Sequence, residues 1–225
     1  VGQAVVSLNP ASQSVNVGDT FTITLRVDTA VDMDNIGTDV LFDGSKITYD
    51  HAVISSDISI LDWTADVIDC LEPSLSCKNF YVASDFLNPS PLTGDANIIT
   101  IYFIANVAGT NNFTYANNSA NNTLFEDITS GWTPAAATIN SAPTVTSSDA
   151  TSITTTAATL NGIITSTGGA NATQHGFAYG TDSNLSTVIA TTTGGAFTGT
   201  GAYTSASARN ISGLTCSTTY YLRPY

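Results

Sequence analysis

Phe21-Thr22-Ile23-Thr24-Leu25-Arg26-Val27 decides the fold class, because four apolar side chains alternate with three polar ones over seven residues. Successive side chains of an extended chain point to opposite faces, so this period of two predicts a strand with one dry face and one wet face. Upstream, Ala4-Val5-Val6-Ser7-Leu8 runs to an Asn9-Pro10 break, and Ser14-Val15-Asn16-Val17 ends at Gly18-Asp19. Downstream, Val40-Leu41-Phe42 closes at the Asp43-Gly44 turn and is followed by Lys46-Ile47-Thr48-Tyr49. Phe80 to Ala83, Phe113-Thr114-Tyr115 and Ala135 to Ile139 continue the series. Ile98 to Ile104 is nearly continuous in apolar residues, as a strand buried on both faces would be. Short strands at this spacing predict a β-sandwich.

Ser141-Ala142-Pro143 breaks the pattern, and a new series starts. It comprises Ala158 to Ile164, Gly176-Phe177-Ala178-Tyr179-Gly180, Ala202-Tyr203-Thr204 and Thr219 to Arg223, separated by Gly- and Ser-rich turns. The expected organisation is all-β, two tandem β-sandwiches over residues 1–141 and 142–225.

Composition agrees and narrows the function. Charged residues are 10% of the chain, against about 25% in an average soluble domain. Short polar and β-branched residues fill the difference, which suits pleated strands and turns. Five basic residues against 18 acidic ones give a net charge of −13. That supply of cations is too small and scattered to neutralise nucleic-acid phosphates or anionic lipid. No run of about 18 apolar residues occurs, so nothing here reads as a membrane-spanning helix. The first residues lack the charged and apolar regions of a secretion signal, which fits a processed chain or part of a longer product.

Cys70 and Cys77 enclose six residues and read as a small disulfide loop, implying an oxidising compartment. Cys216 is left over, and its partner is expected beyond Tyr225. Six N-x-S/T sequons stand at Asn112, Asn117, Asn121, Asn171, Asn184 and Asn210, candidate glycan sites in a host that glycosylates.

Two family resemblances follow from motifs already quoted. The Gly18-Asp19 turn before an alternating strand, the Phe42-Asp43-Gly44-Ser45-Lys46-Ile47 hairpin and the long Ile98–Ile104 strand resemble a cohesin domain over roughly residues 4–140. That resemblance implies a jelly-roll sandwich related to carbohydrate-binding modules. It also implies a dockerin-binding scaffold role in some members, with recognition on one sheet face; no motif transfers particular contact residues. The Cys70–Cys77 segment departs from the family pattern. In the second half, Ile211-Ser212-Gly213-Leu214 before Thr218-Thr219-Tyr220-Tyr221-Leu222-Arg223 resembles a fibronectin type III domain, an immunoglobulin-like sandwich. There Leu214 and Tyr220 match the spacing of a tyrosine corner, and the family's last strand is expected after Tyr225.

No phosphate loop, HExxH or G-x-S-x-G motif occurs. His51 and His175 read as strand-end histidines, so no enzyme is expected. Asp32-Met33-Asp34, with Asp28, is the one metal candidate, since alternating carboxylates in a loop can hold structural calcium; no other cofactor is expected. Trp63 and Trp132 are candidates for a sugar-stacking platform. The expected role is a non-catalytic, extracellular protein of a prokaryotic cell surface, structural or adhesive. Its partner is a protein or a second copy, with assembly or filament growth by β-strand addition at an unfinished sheet edge. A dockerin-binding scaffold module and a polysaccharide-binding module are the alternatives.

Overall fold

The alternation at Phe21–Val27 belongs to a strand far longer than the sequence predicts. A computed structural model describes residues 4–56, 62–69, 77–85, 91–122, 124, 126, 127, 129–204 and 211–225, with 31, 62–69, 77–85 and 122 in backbone only. The chain divides into two compact units, Val1–Asn140 and Ser141–Tyr225.

Unit 1 holds β1 (Ala4–Asn9), β2 (Ser12–Asn16), β3 (Thr20–Asp43), β4 (Ile47–Ile54), β5 (Asp62–Asp69), β6 (Cys77–Asp85), β7 (Leu92–Ala105), β8 (Gly109–Asn122), β9 (Thr129–Thr133) and β10 (Ala135–Asn140). β3 is shared by two layers. Its first half pairs antiparallel with β1 and β7, whose far neighbours are β9 and β4. Its second half pairs antiparallel with β6 and β8, which continue to β5 and to β10 and β2. The sequence suggested two strands, Phe21–Val27 and Val40–Phe42, with a loop between. Instead the chain stays extended and changes layer through register shifts between Val27 and Met33, with positive φ at Thr29 (57°) and Asp32 (58°). Neither residue is a glycine, so no glycine in the sequence marks the point where the strand changes layer.

The inward residues of both layers form one core. Phe21, Ile23, Leu25 and Val27 interleave with Ile99, Ile101 and Phe103 of β7 and Phe113 of β8, all buried. Phe103 is its centre, with ring centroids 5.7 Å from Phe21, 5.0 Å from Phe42 and 5.2 Å from Phe113. β7 is not dry on both faces as its composition suggested: Thr100, Tyr102 and Ile104 alternate with the buried residues and are only half-buried.

Unit 2 holds β11 (Thr144–Thr151), β12 (Ala157–Ser166), β13 (His175–Gly180), β14 (Ala190–Gly194), β15 (Gly201–Thr204), β16 (Ile211–Ser212) and β17 (Tyr221–Pro224). One sheet runs β11-β12-β15 with β16 also on β12, and the other runs β14-β13-β17. Phe177, Tyr203, Leu160, Ile164 and Ile211 are buried between them. The Leu214–Tyr220 segment turns a corner: the Thr215 N–H donates to the Tyr220 hydroxyl at 3.0 Å, and the Leu214 N–H donates to the Thr156 carbonyl at 3.0 Å. Gly194 faces His175 so closely that an added Cβ would lie 2.5 Å from the imidazole, which explains a glycine at that strand end.

Truncating Phe103 to Ala removes the ring that touches three others and leaves a cavity, so we expect a loss of about 3–5 kcal/mol in urea unfolding. Tyr220→Phe deletes the corner hydroxyl and leaves the Thr215 N–H without that acceptor. A loss of about 1 kcal/mol, seen as a lower melting temperature of unit 2, is the expected outcome.

Candidate functional site

The second half of β3 and the facing β8 carry a row of amide side chains on the sheet. Asn35, Gly37, Asp39 and Leu41 alternate with the buried Ile36, Thr38, Val40 and Phe42, so they share the outer face. The register sets Asn35 opposite Asn121, Gly37 opposite Ser119, Asp39 opposite Ala116 and Leu41 opposite Thr114. An irregularity between Gly37 and Asp39, with φ of 52° at Asn117, adds a residue to β8 and brings its side chain over Asp39. Asn117 Nδ2 then donates to Asp39 Oδ2 at 2.6 Å, and Asp39 is only 6% exposed. Asn121 Nδ2 donates to Asn35 Oδ1 at 3.3 Å, and Thr38 Oγ1 donates to Asn118 Oδ1 at 2.8 Å. A buried carboxylate needs such donors to offset its desolvation. The three bonds order the polar side chains along this stretch of β3 and β8.

Two of the six sequons, Asn117 and Asn121, therefore serve as donors within this ladder. Asn112, Asn117, Asn171 and Asn184 are exposed, Asn121 is half-buried, and Asn210 lies outside the described residues.

One end of the ladder is locked. The buried Asn111 amide bridges the Asp43 backbone, Nδ2 donating to its carbonyl at 2.9 Å and Oδ1 accepting from its N–H at 3.3 Å. Lys46 Nζ lies 2.8 Å from Asp43 Oδ2 and donates to the Thr110 carbonyl at 3.0 Å. Lys46 first, then the Ser45 hydroxyl and N–H, hold the Asp43 carboxyl below the ordinary carboxylate value of 3.8.

The calcium candidates are not gathered. Asp28 pairs with Arg26 at 2.7 Å, and Arg26 also reaches Asp95 at 3.1 Å. Asp32 is exposed, while Asp34 is buried in the strand with Oδ1 unpartnered. Among the described residues, no three His, Cys, Asp or Glu side chains come together as a metal would need. The expected chelating loop is instead an extended strand, in which Met33 and Asp34 are both buried. Trp132 is no open platform either: it packs edge-on against Tyr115, centroids 5.1 Å apart, and against the core. Burial there pushes the Tyr115 phenol well above its usual value. The Trp63 side chain and the Cys70–Cys77 pairing lie outside the described residues. His51 is exposed, bonded to Asp50 at 3.0 Å and stacked on Tyr102 at 4.1 Å. His175 is buried between Phe197 and Tyr203, its Nδ1 2.8 Å from the Gly195 carbonyl.

Unit 2 has a second surface feature. An apolar groove of about 280 Å³ lies among Leu160, Tyr179, Ile211, Leu214, Tyr220 and Leu222, with the exposed, free Cys216 on its wall. β17 pairs with β13 alone among the described strands. Gly176 and Tyr225 exchange both backbone hydrogen bonds, so by alternation the Leu222 N–H and carbonyl point away from β13.

No family model and no curated protein matches the sequence. Solved structures do. The cohesin of the OlpC–Doc435 type I cohesin–dockerin complex from Clostridium thermocellum is 12% identical, with a TM-score of 0.51 over 63% of this chain and 96% of that one. CaCohA2 from Clostridium acetobutylicum is 17% identical, TM-score 0.50, over 61% and 91%. The seventh ScaB type I cohesin from Pseudobacteroides cellulosolvens is 11% identical, TM-score 0.50, over 63% and 95%. The chain is all-β and includes the jelly-roll β-sandwich fold of cohesin domains.

Because the folded Asp43 is held below its unfolded value, its contribution is complete above about pH 4 and fades as pH falls through the lowered folded value. Asp43→Asn is thus expected to melt earlier than the parent at pH 7, with the two converging towards pH 2. A gap of constant size across that range, by circular dichroism melts, would count against the ion pair.

Proposed function

We propose that this chain is a non-catalytic, extracellular interaction module of a cell-surface scaffold, and that unit 1 docks a protein partner across the sheet containing β8, β3 and β6. The observation that carries this reading is the ordered amide ladder on β3 and β8, set on the fold of cohesins that have been solved in complex with dockerins. A prearranged hydrogen-bonding face binds a partner with little ordering cost. Unit 2 is read as a fibronectin type III-like sandwich, supported by the Tyr220 corner, that spaces or presents unit 1.

A second reading, assembly by β-strand addition, draws on the outward-pointing edge of β17 beside the apolar groove. In that arrangement a strand pairing with Leu222 would bring its alternate apolar side chains against Leu214 and Tyr220.

Isothermal titration of the chain against a panel of isolated dockerin domains tests the first reading. Binding by one of them is expected, weakened about tenfold by Leu41→Lys, as for a contact worth about 1.4 kcal/mol. No heat across the whole panel sinks the dockerin partner. A monomer at every concentration in size-exclusion chromatography removes the assembly reading.

A further inference from the structure

We propose that Asn184 is an N-glycan attachment site, displayed by a loop built for that purpose, and that the sequons at Asn117 and Asn121 stay unmodified. This rests on the extracellular reading above.

Asp182-Ser183-Asn184-Leu185-Ser186 is the one sequon of the six with a carboxylate two residues before its asparagine. Such a carboxylate gives a transferase a charged handle next to the acceptor amide. The loop lies between β13 and β14, and its geometry separates anchor from acceptor. Leu185 has a φ of 49° and is only 8% exposed, so it plugs the loop into unit 2. Its neighbours Asn184 and Ser186 are exposed on either side. Asp182 accepts from the Asn184 N–H at 3.2 Å and the Ser186 N–H at 2.9 Å, and also from the Ser186 hydroxyl. The backbone of the turn is thus ordered, and the exposed Asn184 side chain is carried on it rather than on a strand.

Among the described residues, the four other sequons are engaged in strands or in a loop hydrogen bond. Asn117 and Asn121 use Nδ2, the atom a glycan would occupy, as donors to Asp39 and Asn35. Asn171 is fixed by accepting the Gly199 N–H at 2.9 Å, and Asn112 sits in mid-strand, paired with Ala136. In the reaction, Asn184 Nδ2 attacks the anomeric carbon of an oligosaccharide carried on a lipid pyrophosphate. The new C–N bond forms as the carbon–oxygen bond to phosphate breaks; the lipid pyrophosphate leaves with the electron pair, and Nδ2 gives up one proton.

The test incubates the folded, full chain with a purified oligosaccharyltransferase and a lipid-pyrophosphate oligosaccharide, followed by intact-mass and peptide mapping. One glycan mass at Asn184 is expected. It should be lost in Asn184→Gln, kept in Ser186→Thr and reduced in Asp182→Asn, with melting of Asn184→Gln unchanged. Transfer to Asn117 or Asn121, or none to the chain while a control peptide is modified, overturns the proposal. A bare Asn184 in native material from a host that glycosylates its other surface proteins, with transfer intact in vitro, supports the acceptor geometry and counts against the extracellular reading instead.

Discussion

Unit 1 depends on one strand belonging to two sheets. β3 runs 24 residues without a break, pairing with β7 through its first half and with β6 and β8 through its second. Both sheets are therefore tethered to the same backbone, and their inner faces meet over Phe21, Phe42, Phe103 and Phe113. A one-residue slip in either half would turn an entire set of side chains inside out. The four-ring cluster makes that slip costly, because each ring already fills space left by the other three. Tethering also explains how strands from residues 5 to 139 reach one core.

The same strand builds the candidate site. Its inner residues serve the core while Asn35, Asp39 and Leu41, one residue out of phase, stand on the outer face. The irregularity at Asn117 changes the character of that face, because it places an amide where a regular strand would leave Asp39 uncovered. Asn111 does a related job at the end of the ladder by replacing a missing backbone partner of Asp43. The amide-rich composition that made the sequons look like modification signals is, at two of the six, the internal bonding of a sheet surface.

The two units differ electrostatically. Of the 18 acidic and 5 basic residues, 16 and 3 lie before residue 141, so the whole net charge of −13 belongs to unit 1 and unit 2 is neutral. Long-range attraction of a cationic partner would act on unit 1 and weaken with salt. Unit 2 carries short polar side chains and an apolar groove instead.

Much of this was legible beforehand. The alternation at Phe21–Val27, the Asp43-Gly44 turn and the Leu214–Tyr220 spacing are local signals, since strand period and turn chemistry are properties of neighbouring residues. They determine an all-β chain, while the jelly-roll kinship of its first half comes from the cohesin resemblance and is borne out by the solved cohesin folds. Pairings across the chain had no such signal. The layer change in β3 passes through Thr29 and Asp32, which carry positive φ. The Asp32-Met33-Asp34 stretch read as a chelating loop and is a strand, and Trp132 read as a platform and is a packed ring. The amide ladder joins residues 78 to 86 positions apart. The sequence by itself determined which faces could be dry and where the chain could turn, because those follow from side-chain chemistry within a few residues. Only the tertiary structure decided which asparagines bond and which stand free, because that depends on what the opposite strand places within about 3 Å of each amide.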